Sequence, residues 1–243
     1  GESCFETFRV IDGEIFDWPG HWSRLTLGLS EFGLLMSAGQ DEKILSACLR
    51  EAKKAGADSL VRLTVSGGAA DWGLTARAAE PLVYIQCMPY RRSESAAFLR
   101  LESWPFPLKQ KLAKFTADYS ETLRALKGGD ANVLFEQDGC LLATATANIL
   151  IYRDGGWLTP DSKAGVLPGR VRDLLIRKKL VRAETCPIQW LTDCEAAAVC
   201  NSGLFIQPIA CIANVQRLDG MDVGHAAFKP LLDLLRLEKG VRV

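Results

Sequence analysis

The stretch from Gly165 to Arg170 carries residue types that could bind a phosphate. Its sequence is Gly-Val-Leu-Pro-Gly-Arg, and the Pro-Gly turn precedes a helix that the spacing of apolar residues predicts over 169–179. The first backbone N–H groups of a helix have no partner within it, so they suit an anion. The stretch lacks the spacing and the Lys-Ser/Thr pair of a P-loop. An ordinary capped helix is the alternative, and these residues alone do not decide between the two.

The basic side chains are the other groups that could bind an anion or move a proton. Taken one at a time, Lys109, Lys111 and Lys114 are expected to lie on the surface, and His21 on the surface of a helix. The arginines and lysines within 170–182 are expected to form a solvated face. A function is therefore indicated only by the order of these residues along the chain.

The cysteines do not form a metal-binding pattern. None of the eight belongs to a Cys-x-x-Cys pair, and only His21 and His225 are available as histidine ligands. We therefore expect no metal site. Most of the cysteines lie in apolar runs, such as the run that ends at Cys200, which is typical of buried free thiols. Free thiols favour a reducing compartment, so the expected location is cytoplasmic.

Strands and helices must position these candidates. Asp12-Gly13 and Asp138-Gly139 each predict a hairpin, because this dipeptide suits a two-residue turn. The predicted strands are 4–11, 14–17, 59–66, 82–88, 132–136, 140–142, 148–153, 197–200 and 205–214. The predicted helices are 22–32, 41–56, 116–127, 169–179 and 226–237. Strands and helices alternate in places and are segregated in others, so an α+β or irregular α/β fold is favoured over a Rossmann sheet.

The length of 243 residues exceeds the usual size of one domain. The stretch 91–95 is polar, and Trp-Pro-Phe-Pro at 104–107 cannot continue a helix. We therefore expect an N-terminal α+β domain over 1–104 and a C-terminal domain over 108–243.

The composition excludes several classes of protein. Lysine plus arginine and aspartate plus glutamate each number 29, so the net charge of zero disfavours a nucleic-acid binder. Hydrophobic residues make up 48% of the chain, enough for a buried core rather than a disordered chain. No apolar run reaches the ~18 residues that a membrane span needs, so neither a nucleic-acid nor a membrane partner is expected.

Five groups of residues, in order, resemble the class IV aminotransferases, which are fold-type IV pyridoxal-phosphate enzymes. The first is Phe-Glu-Thr-Phe-Arg-Val-Ile-Asp-Gly at 5–13 with His-Trp-Ser-Arg-Leu at 21–25. The others are Lys-Phe-Thr-Ala-Asp-Tyr at 114–119, Asp-Gly at 138–139 with Ala-Asn-Ile at 147–149, Thr-Pro at 159–160 with 165–172, and Val-Cys-Asn-Ser-Gly-Leu-Phe-Ile-Gln-Pro-Ile at 199–209. The last segment resembles the aminodeoxychorismate lyases of this family. No single segment carries the resemblance.

The resemblance implies a role for each site residue. Lys114 would bind the pyridoxal-phosphate aldehyde through its amine and move protons, Tyr119 would bond the ring hydroxyl, and Arg24 would clamp the phosphate. The phosphate-binding helix start would comprise Leu167, Gly169 and the N–H groups of Arg170 and Val171, and Ser202 would add a hydroxyl.

Two departures from the family pattern leave alternatives open. The glutamate that pairs with the pyridine nitrogen falls on Ala143, so Thr144 or Thr146 would have to offer a neutral hydrogen bond. The segment between Lys114 and Ala143 is also shorter than the family norm. Lys111 restores that spacing but loses the tyrosine five residues later, so Lys114 is preferred and Lys111 stays open.

The resemblance also implies the fold and the activity. The fold would be a small N-terminal α+β domain and a larger C-terminal barrel-like domain, with cofactor in the cleft, in a homodimer. The substrate would be a small-molecule amine or amino acid. The expected activity is that of an aminodeoxychorismate lyase, which forms 4-aminobenzoate and pyruvate for folate synthesis. The alternatives are an amino-acid transaminase of the same family and a non-catalytic member, which Ala143 favours.

Overall fold

The computed structural model of the chain describes residues 3–69, 80–91, 95–126, 132–213, 215–217 and 225–243. They form two compact units. The first contains the described residues up to Arg91, together with Leu112–Ser120 and Lys239–Arg242. The second contains residues 95–111 and the described residues of Glu121–Glu238. Residues 92–94, 127 and 214, which belong to the predicted linker, helix and strand, lie outside the described residues.

The first unit is an antiparallel sheet covered by two helices. Its elements are β1 (Ser3–Ile11), β2 (Glu14–Ile15), α1 (Trp18–Glu31), α2 (Gln40–Ala55), β3 (Asp58–Ser66) and β4 (Leu82–Pro89). The strand order is β2-β1-β3-β4. Side chains alternate across β1, so Cys4, Phe8 and Val10 enter a core with the apolar stripes of both helices. The elements predicted for this part of the sequence are confirmed.

The second unit contains a closed ring of strands. Its strands are β5 (Ala97–Ser103), β6 (Val133–Gln137), β7 (Cys140–Thr144), β8 (Asn148–Arg153), β9 (Gly156–Pro160), β10 (Val181–Glu184), β11 (Ala196–Asn201), β12 (Phe205–Ala213) and β13 (Gln216–Arg217). The path β8-β11-β12-β5-β6-β7 returns to β8 through a pair between Ala143 and Asn148. This ring confirms the barrel-like architecture that the resemblance implies.

Three helices lie between or after the strands of this sheet along the chain. They are α3 (Tyr119–Ala125), α4 (Arg170–Arg177) and α5 (Lys229–Arg236). A 3-10 turn over Thr116–Asp118 precedes α3, and another over Ala226–Phe228 precedes α5. The helices predicted over 116–127 and 226–237 each begin as one of these tighter turns.

The units do not follow the expected division between 104 and 108. β5 lies in the second unit because it pairs with β12 and β6, both in parallel. Residues 112–120 lie in the first unit because the Phe5 N–H donates to the Lys114 carbonyl oxygen at 2.9 Å. Both differences come from pairing between residues distant in sequence.

The remaining global features concern cysteines, metals and membranes. All eight cysteines are free thiols, and five of them are buried. Within the ranges given above, no group of three or more His, Cys, Asp or Glu side chains is arranged to hold a metal ion. None of the helices in those ranges is long and apolar enough to cross a membrane.

Candidate active site

Lys114 lies against the start of β1, where the backbone of 113–115 forms an extra pairing. The Phe5 N–H donates to the Lys114 carbonyl oxygen, and Cys4 pairs with Phe115 in an antiparallel bridge. α1 approaches this segment closely because Gly28 has no side chain. A Cβ on Gly28 would lie 2.5 Å from the Ala113 Cβ, closer than real Cβ contacts occur. The packing of α1 therefore fixes the segment that carries the lysine.

A buried ion-pair network connects β1 to α1 beside this lysine. Glu6 is 1% exposed and lies on the helix-facing side of β1. Its carboxylate accepts from Arg24 Nε at 2.8 Å, Arg24 Nη2 at 2.6 Å and His21 Nδ1 at 2.7 Å. His21 and Arg24 are three residues apart, so they occupy one face of the helix. The expectation that His21 lies on the surface is wrong, because its ring is fully buried against the sheet.

The network has a defined charge state. Burial alone would raise the pKa of the Glu6 carboxyl, but the Arg24 guanidinium and the hydrogen bonds from Arg24 and His21 hold it far below its ordinary value. Burial lowers the pKa of His21, against the opposing effect of Glu6. A neutral His21 donates from Nδ1 to the carboxylate, so Nε2 carries a lone pair. That atom is buried and has no partner among the described residues.

The Lys114 amine is tuned for nucleophilic chemistry. Burial lowers its pKa to about 8, with Arg24 and Arg62 acting in the same direction and Glu6 opposing them. At pH 7 the neutral amine is therefore about 300 times more abundant than at the ordinary value of 10.5. A neutral, partly buried amine is the form that attacks a carbonyl carbon.

The ring of Phe5 contacts three polar side chains on the face of the sheet opposite the helices. The Tyr119 ring centroid lies 5.0 Å from it, the Arg62 guanidinium 3.7 Å and the Lys114 Nζ 5.5 Å. Burial raises the pKa of Tyr119, so its phenol is protonated. Within the described residues its hydroxyl has no hydrogen-bond partner. Lys114, Tyr119 and Arg24 are thus assembled within the first unit.

The predicted phosphate-binding helix start lies in the second unit, at the N-terminus of α4. Gly169 precedes the helix with an extended backbone. Asn148 Nδ2 donates to the Leu167 carbonyl at 3.0 Å, and Asn148 Oδ1 occupies the space that a Cβ on Gly169 would fill. Asn148 thereby holds the turn that presents the backbone of Arg170 and Val171.

The basic residues of α4 differ in their surroundings. Arg170 pairs with Asp173 at 3.1 Å, and Val171 is fully buried. Arg172 is 3% exposed and donates from Nη2 to the Pro160 carbonyl at 2.8 Å. The expectation of a solvated face is therefore wrong for Arg172, whose side chain instead ties the helix to β9.

Ser202 lies at the turn between β11 and β12. Asn201 Oδ1 accepts from the N–H groups of Gly203 and Leu204 at 2.8 and 2.9 Å, and Asn201 Nδ2 donates to the Thr146 carbonyl at 3.1 Å. These bonds fix the turn to the loop between β7 and β8. Ser202 is buried, and its hydroxyl makes no hydrogen bond to any residue that the structure describes.

Ala143 offers no carboxylate, and the neighbouring threonines differ. Thr144 Oγ1 donates to the Ala147 carbonyl at 3.1 Å and accepts from the Ala147 N–H at 2.9 Å. Its hydroxyl is thus committed to its own turn. Thr146 is exposed, and its hydroxyl has no such bond within the described ranges. Of the two threonines considered for a neutral hydrogen bond, only Thr146 has an uncommitted hydroxyl.

The other lysines occupy different environments. Lys111 lies in the second unit, with its Nζ 5.6 Å from the Trp104 ring centroid. Lys109 pairs with Glu121 at 2.8 Å. Neither contact resembles the network beside Lys114.

The sequence analysis did not identify two residues of this site, Glu6 and Arg62. Glu6 belongs to a strand whose inward positions are otherwise apolar, and a carboxylate there requires a basic partner. His21 and Arg24 on the next helix are the basic partners of this carboxylate. Arg62 gave no comparable indication, because a basic residue at an exposed strand position is ordinary.

The residues present fit pyridoxal phosphate. Its aldehyde requires a neutral amine, which Lys114 with its lowered pKa would supply, and its phosphate requires cations or helix-end N–H groups. Arg24, in the first unit, is such a cation. The start of α4, described by itself in the second unit, has helix-end N–H groups of this kind. The resemblance assigns to position 143 the glutamate that pairs with the pyridine nitrogen, and Ala143 has no carboxylate.

Comparisons with known proteins identify the family and the fold. A Schizosaccharomyces pombe protein, provisionally named an aminodeoxychorismate lyase, is 26% identical over 241 residues, covering 90% of this chain and 97% of that protein. The structure of the Escherichia coli branched-chain amino acid aminotransferase matches with a TM-score of 0.79 at 21% identity, over 96% of this chain and 83% of that one.

The Pseudomonas aeruginosa 4-amino-4-deoxychorismate lyase matches with a TM-score of 0.75 at 19% identity, over 97% of this chain and 90% of that chain. At these identities the two structures show the fold. The family model for amino-transferase class IV matches residues 3–212, which contain Lys114, Arg24 and the α4 start. This chain belongs to the class IV aminotransferase family of pyridoxal-phosphate-dependent enzymes.

Proposed function

We propose that this protein is a pyridoxal-phosphate-dependent lyase that converts 4-amino-4-deoxychorismate into 4-aminobenzoate and pyruvate, a step of folate biosynthesis. The observation that carries the proposal is the Lys114 amine, whose pKa is lowered to about 8 beside the buried Arg24. Within the family, the segment containing Asn201 and Ser202 and the likeness to the yeast relative favour the lyase over a transaminase.

The first unit would supply the reactive groups. When bound, pyridoxal phosphate supplies a conjugated ring that accepts electrons from a bond breaking at the substrate's amino-bearing carbon. Lys114 would hold the cofactor through Nζ until the substrate amine takes its place. The released Nζ would then remove the proton from that carbon. Tyr119 would hold the ring hydroxyl, and Arg24 would bind the phosphate.

The start of α4 and Ser202 would supply neutral donors for the phosphate. The N–H groups of Arg170 and Val171, presented by the turn through Leu167 and Gly169, suit an anion because helix-start amides lack partners within the helix. Ser202 would add its hydroxyl. The Asn148 and Asn201 side chains support this proposal because they fix both turns.

The other candidates are a transaminase of the same family and a family member without catalytic activity. The family match favours amino transfer, which would need a keto-acid acceptor. Ala143, together with the commitment of Thr144 to its own turn, favours a non-catalytic protein. The tuned Lys114 amine counts against that alternative, since a scaffold has no need of a nucleophile.

Borohydride reduction followed by peptide mapping tests the cofactor site. Purified protein incubated with pyridoxal phosphate is expected to gain a visible absorption band that borohydride removes, with the label on Lys114. Lys114→Ala is expected to lose the label and Lys111→Ala to keep it. A label on Lys111 alone would transfer the role to that residue, and no label in the wild type would exclude a pyridoxal-phosphate enzyme.

Product analysis distinguishes the lyase, the transaminase and the non-catalytic protein. Supplied with 4-amino-4-deoxychorismate, the loaded protein is expected to release pyruvate and 4-aminobenzoate in equal amounts. Keto-acid-dependent amino transfer without pyruvate release would indicate the transaminase. Neither activity at full cofactor occupancy would indicate the non-catalytic protein. We further propose a cytoplasmic location, because the cysteines are free thiols. The family resemblance supports a homodimer.

A further inference from the structure

Glu6 carries a carboxylate that binds the Arg24 side chain, and it is not among the residues assigned to the cofactor above. It accepts hydrogen bonds from three nitrogens, two on Arg24 and one on His21, at 2.6–2.8 Å. All three side chains are at most 6% exposed. A buried carboxylate with three donors holds them in one geometry, because breaking any bond strands a charge away from water.

The charges around Lys114 are unbalanced without this carboxylate. Arg24 and Arg62 are the cations that act on its amine, and Glu6 is the opposing anion. Tyr119, protonated, and the Cys4 thiol, whose pKa is raised to about 12, add no charge near neutral pH. Asp118 is the other charged group near these side chains, where it acts on Cys4 and Tyr119.

We propose that Glu6 is a positioning residue of the Lys114 site, whose carboxylate fixes the Arg24 guanidinium and the His21 ring and balances the cations around the lysine amine. The proposal deepens the function proposed above and rests on it for the role of Lys114. The Glu6 contacts themselves do not depend on that role. Loss of the carboxylate removes the anion that opposes the effect of Arg24 and Arg62 on the lysine, which disfavours its protonated form.

A matched pair in the same unit supplies the control. Arg9 is also buried, and its Nε donates to Asp58 Oδ1 at 2.9 Å, with a second bond from Nη2 to Oδ2. Asp58 pairs with Ile11 at the far end of β1, whereas Lys114 meets Phe5 near its start. Asp58→Asn therefore breaks a comparable arginine–carboxylate pair without changing the charges that act on Lys114.

The test is the protonation midpoint of Lys114 in the full chain, freed of bound carbonyl compounds by hydroxylamine and dialysis. Brief labelling with acetic anhydride across a pH series, with peptide mass spectrometry, gives the Lys114 labelling rate at each pH. The wild-type midpoint is expected near 8. Glu6→Gln is expected to lower it by roughly one unit or more, a tenfold gain in neutral amine below the midpoint. Asp58→Asn is expected to leave it unchanged.

A folded Glu6→Gln variant with an unchanged or higher midpoint would overturn the proposal, as would an equal shift in Asp58→Asn. If Glu6→Gln does not fold, the double variant Glu6→Gln/Arg24→Gln removes both buried charges together. Its midpoint is expected to fall by less, because Glu6 acts on Lys114 more strongly than Arg24 does. A midpoint at or above that of the wild type would overturn the proposal in that variant. Failure of the proposed function is a separate result, the absence of borohydride-trapped label on wild-type Lys114.

Discussion

Gly169→Ala tests whether Asn148 holds the turn before α4. Gly169 has φ −69° and ψ 141°, which alanine adopts without strain, so the effect of the substitution is steric. The new Cβ would lie 3.4 Å from Asn148 Cγ. It would lie much closer to Asn148 Oδ1, well under the 3.0 Å below which real Cβ contacts essentially never occur. The Asn148 amide would have to rotate and abandon its bond to the Leu167 carbonyl.

The magnitude follows from what that rotation loses. Asn148 is 6% exposed, so the abandoned amide and carbonyl are left buried without partners, at a cost of about 1–3 kcal/mol in the free energy of unfolding. For a chain of this size each kcal/mol corresponds to a fall in Tm of about 2–4 °C. In an Asn148→Ala background the overlap disappears, and Gly169→Ala is expected to cost close to nothing.

Urea unfolding of the four proteins of this double-mutant cycle measures the effect. The coupling between the two positions is expected to be about 1–3 kcal/mol. Gly156→Ala is the control, since its φ is not positive and no heavy atom lies within 4 Å of a Cβ there. A cost for Gly169→Ala no greater than that of Gly156→Ala would refute the steric argument. An equal cost in both Asn148 backgrounds would do the same.

Three further outcomes follow from the site. Arg24→Ala is expected to weaken pyridoxal-phosphate binding by about one to two decades in a fluorescence titration, because a charge-assisted bond contributes roughly 1.5–3 kcal/mol, and to affect pyridoxal much less. Equal losses for the two compounds would place the phosphate elsewhere. Ala143→Glu is expected to raise α-proton exchange of an amino-acid substrate, measured by NMR in D2O at matched occupancy, because a carboxylate favours a protonated ring nitrogen. No increase would mean that the chemistry does not depend on that proton. The unfolding free energy is expected to fall as pH drops below 6.5, because buried His21 stays neutral while the unfolded chain binds a proton. His21→Gln should flatten that slope and His225→Gln should not.

Local turn chemistry made the β1–β2 hairpin of the first unit predictable. Asp12 and Gly13 both have positive φ, at 51° and 81°, as a two-residue hairpin turn requires. Asp154 and Gly155 have the same pair of angles, 51° and 72°, yet β9, which follows them, was not predicted. Its five residues contain a proline and a glycine, both of which are unfavourable in strands.

Long-range pairing made the division into units unpredictable. β5 pairs in parallel with β6 and β12, and the latter strand begins more than 100 residues further along the chain. Nothing in its own composition distinguishes it from a strand of the first unit. Prolines that end a helix mark an interruption of local structure, whereas a unit boundary depends on which distant strands accept the hydrogen bonds.

The chemistry of the lysine shows where spacing is informative and where it is not. The five-residue step from Lys114 to Tyr119 selected this lysine over Lys111, but spacing carries no information on burial. Burial lowers the pKa of the Lys114 amine and so makes it reactive nearer neutral pH, and that burial comes from the fold and not from the spacing. The buried Arg24 guanidinium also requires a counter-charge, because an unpaired charge held away from water is costly. Glu6 satisfies this requirement from β1, which contacts both α1 and the lysine segment. A charged residue at an inward strand position is therefore evidence for a site in a sequence, provided that the following helix presents basic residues three or four apart.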